Sequence, residues 1–189
     1  MRQVRLPAML RWRPFLALAL LAFGCATNRL APVPAGGVAS AAAGGVVIGR
    51  AEWVGSDGTL QPCTGCVFGI PSVLEWRSTE SSVRYEIAFD GMAGDFAVAP
   101  PAGGYRWQEP QCGAQALSFT PQPGRVLYLG TIRIARDNPL ACSTVSVVDE
   151  YDATVARFRA GHPEFQGEVE KHLMVLWSCD PNGECRLAP

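Results

Sequence analysis

The chain has few of the basic residues on which nucleic-acid binding and much acid–base catalysis depend. It contains a single lysine, Lys171, and two histidines, His162 and His172. Beyond residue 24, 12 Lys and Arg residues stand against 17 Asp and Glu residues, a formal charge of about −5. Binding to phosphate backbones needs concentrated Lys and Arg. We therefore expect no nucleic-acid partner.

The sequence also lacks the motifs that mark common catalytic sites. It has no Gly-x-Ser-x-Gly, no phosphate-binding loop and no dinucleotide fingerprint. Both histidines fall in or beside predicted helices, where we expect His162 to end a helix and His172 to lie at the surface or its boundary. The acidic residues Asp149, Glu150 and Asp152 lie at a predicted helix start, where the helix dipole accounts for them. We predict a protein that is not an enzyme, with no cofactor and no metal.

No hydrophobic run is long enough to cross a bilayer. The longest apolar run near the start, residues 15–23, has nine residues, whereas a membrane-spanning helix needs about 20. Four arginines precede it, and small residues follow it at positions 24 and 25. This three-part plan is typical of a secretory signal over residues 1–24. The arginines are Arg2, Arg5, Arg11 and Arg13.

Cys25 stands at the end of this leader. The segment Leu21-Ala22-Phe23-Gly24-Cys25 resembles the lipobox of bacterial lipoproteins, in which the cysteine thiol receives a diacylglycerol and becomes the mature N-terminus. The resemblance implies that the membrane is a partner through lipid on Cys25. Ala26, in place of Asp, is similar to the sorting pattern for the outer membrane. The alternative is an ordinary secreted protein that keeps Cys25 as a free thiol.

Six cysteines remain once Cys25 is set aside. An exported chain meets an oxidising compartment, so we predict up to three disulfides, each contributing about 2 to 4 kcal/mol, with all 15 connectivities open. The candidates are Cys63, Cys66, Cys112, Cys142, Cys179 and Cys185.

The Cys63 and Cys66 pair also has the spacing of a redox dithiol or half of a zinc site. The residues that follow, 67–71, make a poor helix start, and Cys179 and Cys185 are spaced too widely for a second zinc pair. Structural bridging is favoured, and thiol-redox activity stays as an alternative.

Composition divides the mature chain into two parts. Residues 25–45 are rich in Gly, Pro and Ala and poor in large apolar side chains, which predicts a flexible tether. Residues 46–189 are predicted to form one domain. A mature chain of about 165 residues can bury roughly 68 to 70% of its unfolded surface.

Short β-rich segments separated by turns dominate residues 46–134. We predict strands at residues 46–54, 83–89, 117–119 and 125–134, with a turn at residues 56–58. The clearest alternation places four apolar side chains on one face: Val83, Tyr85, Ile87 and Phe89. No helical crossovers separate these strands, so the pattern predicts a mainly β protein, an antiparallel β-sandwich.

The last third changes to a helical period. One apolar stripe comprises Tyr151, Val155 and Phe158, and a second comprises Phe165, Val169, Leu173 and Leu176. The spacing predicts one or two C-terminal α-helices packed against the sandwich. We expect Asp149 to cap the first helix, and Gly161 and Pro163 to separate the two.

Several segments together resemble the prealbumin-like, carboxypeptidase-regulatory-like β-sandwich of envelope proteins. They are residues 49–58, residues 95–100 with Gly104-Tyr105, and residues 126–132 with Val147-Val148-Asp149-Glu150 leading into a helix. The likeness covers residues 46–165. It implies a non-catalytic envelope domain and carries over no catalytic residues.

Tryptophans are the candidate binding residues. We expect Trp53 and Trp177 to be buried, and Trp76 and Trp107 to be the better exposed candidates for a glycan- or peptide-binding face. The overall expectation is an outer-membrane lipoprotein with a structural or interaction role, with envelope proteins or the cell wall as further partners. The alternatives are a glycan- or peptidoglycan-binding module and a thiol-redox protein using Cys63 and Cys66.

Overall fold

The computed structural model describes most of the chain from residue 28 onward. For residues 72, 137, 138 and 141–143 it describes the backbone alone. The described residues are 28–42, 44–61, 72–81, 83–89, 93–107, 115–138, 141–180 and 184–188.

Within these residues the fold consists of two β-sheets and two short helices. The seven-stranded sheet has the order β1 (Asn28–Arg29), β4 (Arg84–Phe89), β3 (Ser72–Ser78), β6 (Tyr105–Trp107), β7 (Gln115–Phe119), β11 (Val175–Cys179) and β12 (Cys185–Leu187). The second sheet has the order β10 (Val169–Lys171), β8 (Val126–Asn138), β2 (Val46–Gly55) and β5 (Ala93–Val98), with β9 (Ala141–Val148) also paired to β8. The helices are α1 (Val38–Ala41) and α2 (Tyr151–Gly161).

The main core fills the space between the two sheets. Alternation in β4 places Ile87 and Phe89 inside and leaves Arg84 and Ala88 exposed, as predicted. The turn at residues 56–58 also lies where it was predicted. The mainly β class and the β-sandwich are confirmed, because apolar faces of two sheets bury each other.

Three strand pairings are parallel, a feature that the predicted antiparallel arrangement does not contain. They are β1 with β4, β10 with β8, and β2 with β8. A parallel pair needs a long crossover between its strands, but that crossover need not be a helix. Between β2 and β8 the chain instead builds β3 to β7, most of them in the opposite sheet.

A second core lies on the outer side of the second sheet. Val46 and Ile48 of β2 pack there with Val155 and Phe158 of α2, while Val47 points into the main core. The start of β2 is therefore buried on both faces, which explains its continuous apolar run.

Helix α2 confirms the first predicted helix. Its first-turn amide at Tyr151 donates to Oδ1 of Asp149 at 3.2 Å, although the residue at the N-cap position is Glu150. The helix ends at Gly161, and the amide of His162 donates to the carbonyl of Phe158 at 2.9 Å. No helix among the described residues has the length and apolar character to span a membrane.

The second predicted helix is wrong. Val169 lies in β10 and Leu176 lies in β11, and each strand pairs with a distant segment of the chain. Leu176 faces the main core, while Val175 is exposed on the other face. Residues 173–177 are all apolar, so this run is compatible with a helix and with a strand. Pairing with β7 and β8 satisfies the backbone in a way that only the folded chain can provide.

The tether prediction is also wrong for the described residues from 28 onward. Val33 and Val38 are buried in the second core. The amide of Leu30 donates to the carbonyl of Glu86, and the amide of Val33 donates to the carbonyl of Ala97, both at 2.8 Å. The segment docks through backbone hydrogen bonds to strand edges and needs few large side chains to do so. Residues 25–27 lie outside the described part.

A candidate binding groove on the seven-stranded sheet

The outer face of the seven-stranded sheet carries a row of arginines. Strand register places Arg84, Arg77 and Arg106 side by side on β4, β3 and β6. The row continues to Ser118 on β7 and Val175 on β11. Like charges in directly opposed positions repel each other, so this row requires anionic neighbours.

One carboxylate serves two of these arginines. Oε1 of Glu75 lies 3.1 Å from Nε of Arg77, and Oε2 lies 3.6 Å from Nη1 of Arg84. Among the residues that the structure describes, Arg106 makes no hydrogen bond or ion pair through its side chain. Arg106 is half-buried, and a guanidinium that loses water without gaining a partner is unfavourable.

Arg106 lines a groove of about 360 Å³ at one end of the sheet. The groove brings together β6, β7, β11 and the residues that flank them, among them Thr79, Ser118, Thr120, His172 and Trp177. The indole nitrogen of Trp177 donates to Oγ of Ser118 at 2.8 Å. This bond fixes the ring beside the residue that stands directly opposite Arg106.

A hairpin holds the aromatic side of the groove. Cys179 and Cys185 form a disulfide between β11 and β12, and the same register pairs Trp177 with Leu187. Leu187 is 66% exposed and Val175 is 37% exposed. The disulfide therefore holds these apolar side chains beside the row of arginines.

Tyr105 forms part of the floor of the groove, and its hydroxyl is not available to a ligand. Burial raises the pKa of Tyr105 to about 12, and the charges of Tyr85 and Glu80 add to the effect. Its hydroxyl donates to the carbonyl of Pro101 at 2.7 Å. The hydroxyl therefore stays protonated at neutral pH and is already engaged.

The lining of the groove provides groups that can bind a ligand. In the described part of the chain these are a guanidinium without a carboxylate partner, hydroxyls, an aromatic ring and apolar side chains. Among the described residues, no group of three or more His, Cys, Asp and Glu side chains is placed to hold a metal ion.

The predicted tryptophan candidates do not form this site. Trp76 and Trp107 are 0% and 3% exposed, so the prediction of their exposure is wrong. Both alternate inward on their strands, and Trp76 packs edge-on against Phe96 and Phe119. Burial of Trp53 is confirmed.

Trp177, for which we expected burial, is the partly exposed tryptophan of the groove. Reading residues 175–179 with a period of two, with Leu176 inward, would have placed Val175 and Trp177 outward. His172 is exposed as expected, although it precedes a strand. Arg106 gave no signal in the sequence, because only the register shows the arginines side by side.

The disulfide prediction is confirmed at Cys179 and Cys185. Cys142 lies on β9, where the backbone alone is described. Cys25, Cys63, Cys66 and Cys112 lie outside the described residues, so their predicted roles stay predictions.

A second cleft, of about 230 Å³, lies between α2 and β5. Its guanidinium has a partner, since Nε of Arg157 lies 2.8 Å from Oδ2 of Asp95. Nδ1 of His162 is buried without a hydrogen bond among the described residues, and Oε1 of Glu164 lies 3.5 Å from it. Among the residues that the structure describes, Arg106 has no carboxylate partner of the kind that Arg157 has, so the groove on the seven-stranded sheet is the better candidate site.

The chain matches no known protein family, no curated protein and no solved structure. The site is therefore interpreted from its own residues.

Proposed function

We propose that this protein is a non-catalytic interaction domain of the bacterial cell envelope, anchored in the outer membrane by lipid on Cys25. The observation that carries the interaction role is the open groove, in which Arg106 pairs with no carboxylate of the described residues and Trp177 is held in place by Ser118. The anchor rests on the leader and the lipobox-like segment that ends at Cys25. Disulfide-stabilised β-sandwiches suit an oxidising compartment.

Mass spectrometry of protein purified from membranes without reductant tests the anchor. We expect a diacylglycerol on Cys25 as the N-terminal residue, and we expect the Cys25→Ser variant to leave the membrane fraction. An unmodified Cys25 in membrane-free material would overturn the anchor. A Cys63 and Cys66 pair recovered partly reduced would instead favour the thiol-redox alternative.

A glycan- or peptidoglycan-binding module is the second candidate, and Trp177 is the observation that favours it. Aromatic rings that are fixed and partly exposed provide flat apolar surfaces for ligands. Co-sedimentation with isolated cell-wall sacculi tests it: wild type should sediment and Trp177→Ala should not. The exposed Val73→Ala change, on the same sheet face but outside the groove, serves as the matched control. Equal sedimentation of all three proteins would contradict this candidate.

A further inference from the structure

We propose that the groove binds a carboxylate-bearing saccharide, with Arg106 pairing with the carboxylate and Trp177 stacking against the sugar ring. This inference rests on the interaction role proposed above and names the class of ligand for that same groove.

The positive charge of the arginine row favours an anionic ligand. Three arginines lie side by side across β4, β3 and β6, and Glu75 pairs with the two that are farther from the groove. Arg106, the remaining member, lines the groove itself. A guanidinium presents two parallel donors that match a carboxylate, and the pair is stronger in a site partly shielded from water.

The rest of the groove selects a sugar rather than a bare anion. Trp177 supplies an aromatic face whose orientation is fixed by its bond to Ser118. Thr79 and Thr120 line the same groove and offer hydroxyls that both donate and accept hydrogen bonds. A sugar ring has apolar C–H faces and polar edges, so this combination complements it.

Substitution of Glu80 tests whether the ligand carries a negative charge. Its carboxylate lies beside Gly103, which directly precedes the groove residues Gly104 and Tyr105, and it follows Thr79 in the chain. A carboxylate here opposes an anionic ligand. Removing its charge should therefore tighten binding, whereas removing the charge of Arg106 should weaken it.

Isothermal titration calorimetry with hexagalacturonic acid is the experiment, using the full chain purified from membranes in detergent. The matched ligand is the fully methyl-esterified hexamer, which keeps the rings and loses the charge. We expect the acid to bind, its affinity to fall as salt rises, and the ester to bind at least about tenfold more weakly.

Three charge variants locate the site. Arg106→Gln should weaken acid binding by about 10- to 100-fold, in line with the loss of a charge-assisted pair. Glu80→Gln should strengthen it. Arg84→Gln is the matched control, because its guanidinium is paired with Glu75 and lies two strands from Arg106; it should change the affinity less than about threefold.

Aromatic variants test the stacking. Trp177→Leu should lower acid affinity by about tenfold, and Trp177→Phe should recover most of the loss because it keeps a ring. Thermal unfolding of each variant checks that the fold persists. The Phe variant keeps the test usable if the Leu variant is unstable.

Four results would overturn the inference: no binding of the acid, equal binding of acid and ester, equal effects of Arg106→Gln and Arg84→Gln, or equally tight binding of a hexaglutamate peptide. The last result would mean that the groove accepts any anionic chain. None of these results depends on the acylation of Cys25 or on sedimentation with sacculi. The proposed function is therefore tested separately from this inference.

Discussion

Glu52 is the centre of an ion-pair network on the outer face of the second sheet. Its side chain is 12% exposed, and its carboxylate accepts hydrogen bonds from Arg50 at 2.8 Å and from Arg133 at 3.0 Å. Arg50 also contacts Asp95, which pairs with Arg157 of α2. The network joins three strands and a helix, in contrast to Arg106 on the opposite sheet, which has no ion-pair partner among the residues that the structure describes.

This network makes the stability of the fold depend on pH. Burial by itself raises the pKa of Glu52, but the hydrogen bonds and charges of Arg50 and Arg133 outweigh it and hold the pKa below the ordinary value of 4.5. A carboxyl group whose pKa is lowered in the folded state stabilises it above the ordinary value. That contribution is lost as the pH falls below 4.5 and through the lowered pKa.

We predict that Glu52→Gln lowers the free energy of unfolding by about 1 to 3 kcal/mol at pH 7, because two guanidinium groups lose their acceptor. Urea unfolding at about pH 7 and at about pH 3.5 measures this effect on stability. The variant should lose less stability than wild type between the two. Exposed Glu168→Gln is the control, and a pH dependence in Glu52→Gln equal to that of wild type would disprove the role of Glu52.

At the scale of single residues, the sequence gives the type of each side chain but does not show whether that side chain is exposed. Trp76 and Trp177 are the same residue type in strand segments of similar polarity, yet the first is 0% exposed and the second lines the groove. Exposure depends on which sheet covers the face, and that is decided by distant segments.

At the scale of elements, the β2 and β8 pair contains an irregularity built on glycine. The parallel register shifts between Ile48 and Arg50, where β8 contributes one extra residue. Gly130 has a φ of 100°, and a Cβ there would lie 2.4 Å from Cγ1 of Val147. A side chain at this position would be both strained and crowded.

Gly130→Ala should therefore lower the free energy of unfolding by about 3 kcal/mol, combining left-handed strain with overpacking. Gly58→Ala is the matched control, because Gly58 has a φ of 78° but no atom within 4 Å of the added Cβ. It should cost only about 1 kcal/mol. Chemical denaturation compares the two, and equal losses would show that crowding at Gly130 contributes nothing.

Elements with one consistent period were predicted correctly, and the element with two possible periods was not. Alternation in β4 and the apolar stripe of α2 each fit one structure. Residues 165–176 fit a helix locally, but Val169 pairs with Val126 and Leu176 pairs with Leu117. Those partners are far away in the chain, so local periodicity carries no information about them.

At the scale of the whole molecule, the N-terminal segment is part of the domain. Val38 of α1 is 1% exposed and packs in the second core with residues of β2, β8 and α2. A short helix of four residues has little stability of its own, so its packing holds it in place. The folded unit therefore begins before β2.

Val38→Ala in the full chain should lower the free energy of unfolding by about 2 kcal/mol, from two buried carbons and the cavity they leave. Val73→Ala removes the same atoms from a side chain that is 38% exposed and should cost less than about 1 kcal/mol. Urea midpoints of the two variants test this. A Val38→Ala variant as stable as Val73→Ala would mean that the segment does not dock.

The sequence by itself determined the β class, the faces of β4, the turn after β2 and the helix at residues 151–161, because each is encoded by neighbouring residues. Tertiary structure decided the parallel pairing of β2 with β8, the strand state of residues 169–179, the docking of residues 28–42 and the exposure of each tryptophan. It also decided the candidate site. Arg106 and Trp177 are far apart in sequence, and only strand register and the packing of one sheet against another bring them into one groove.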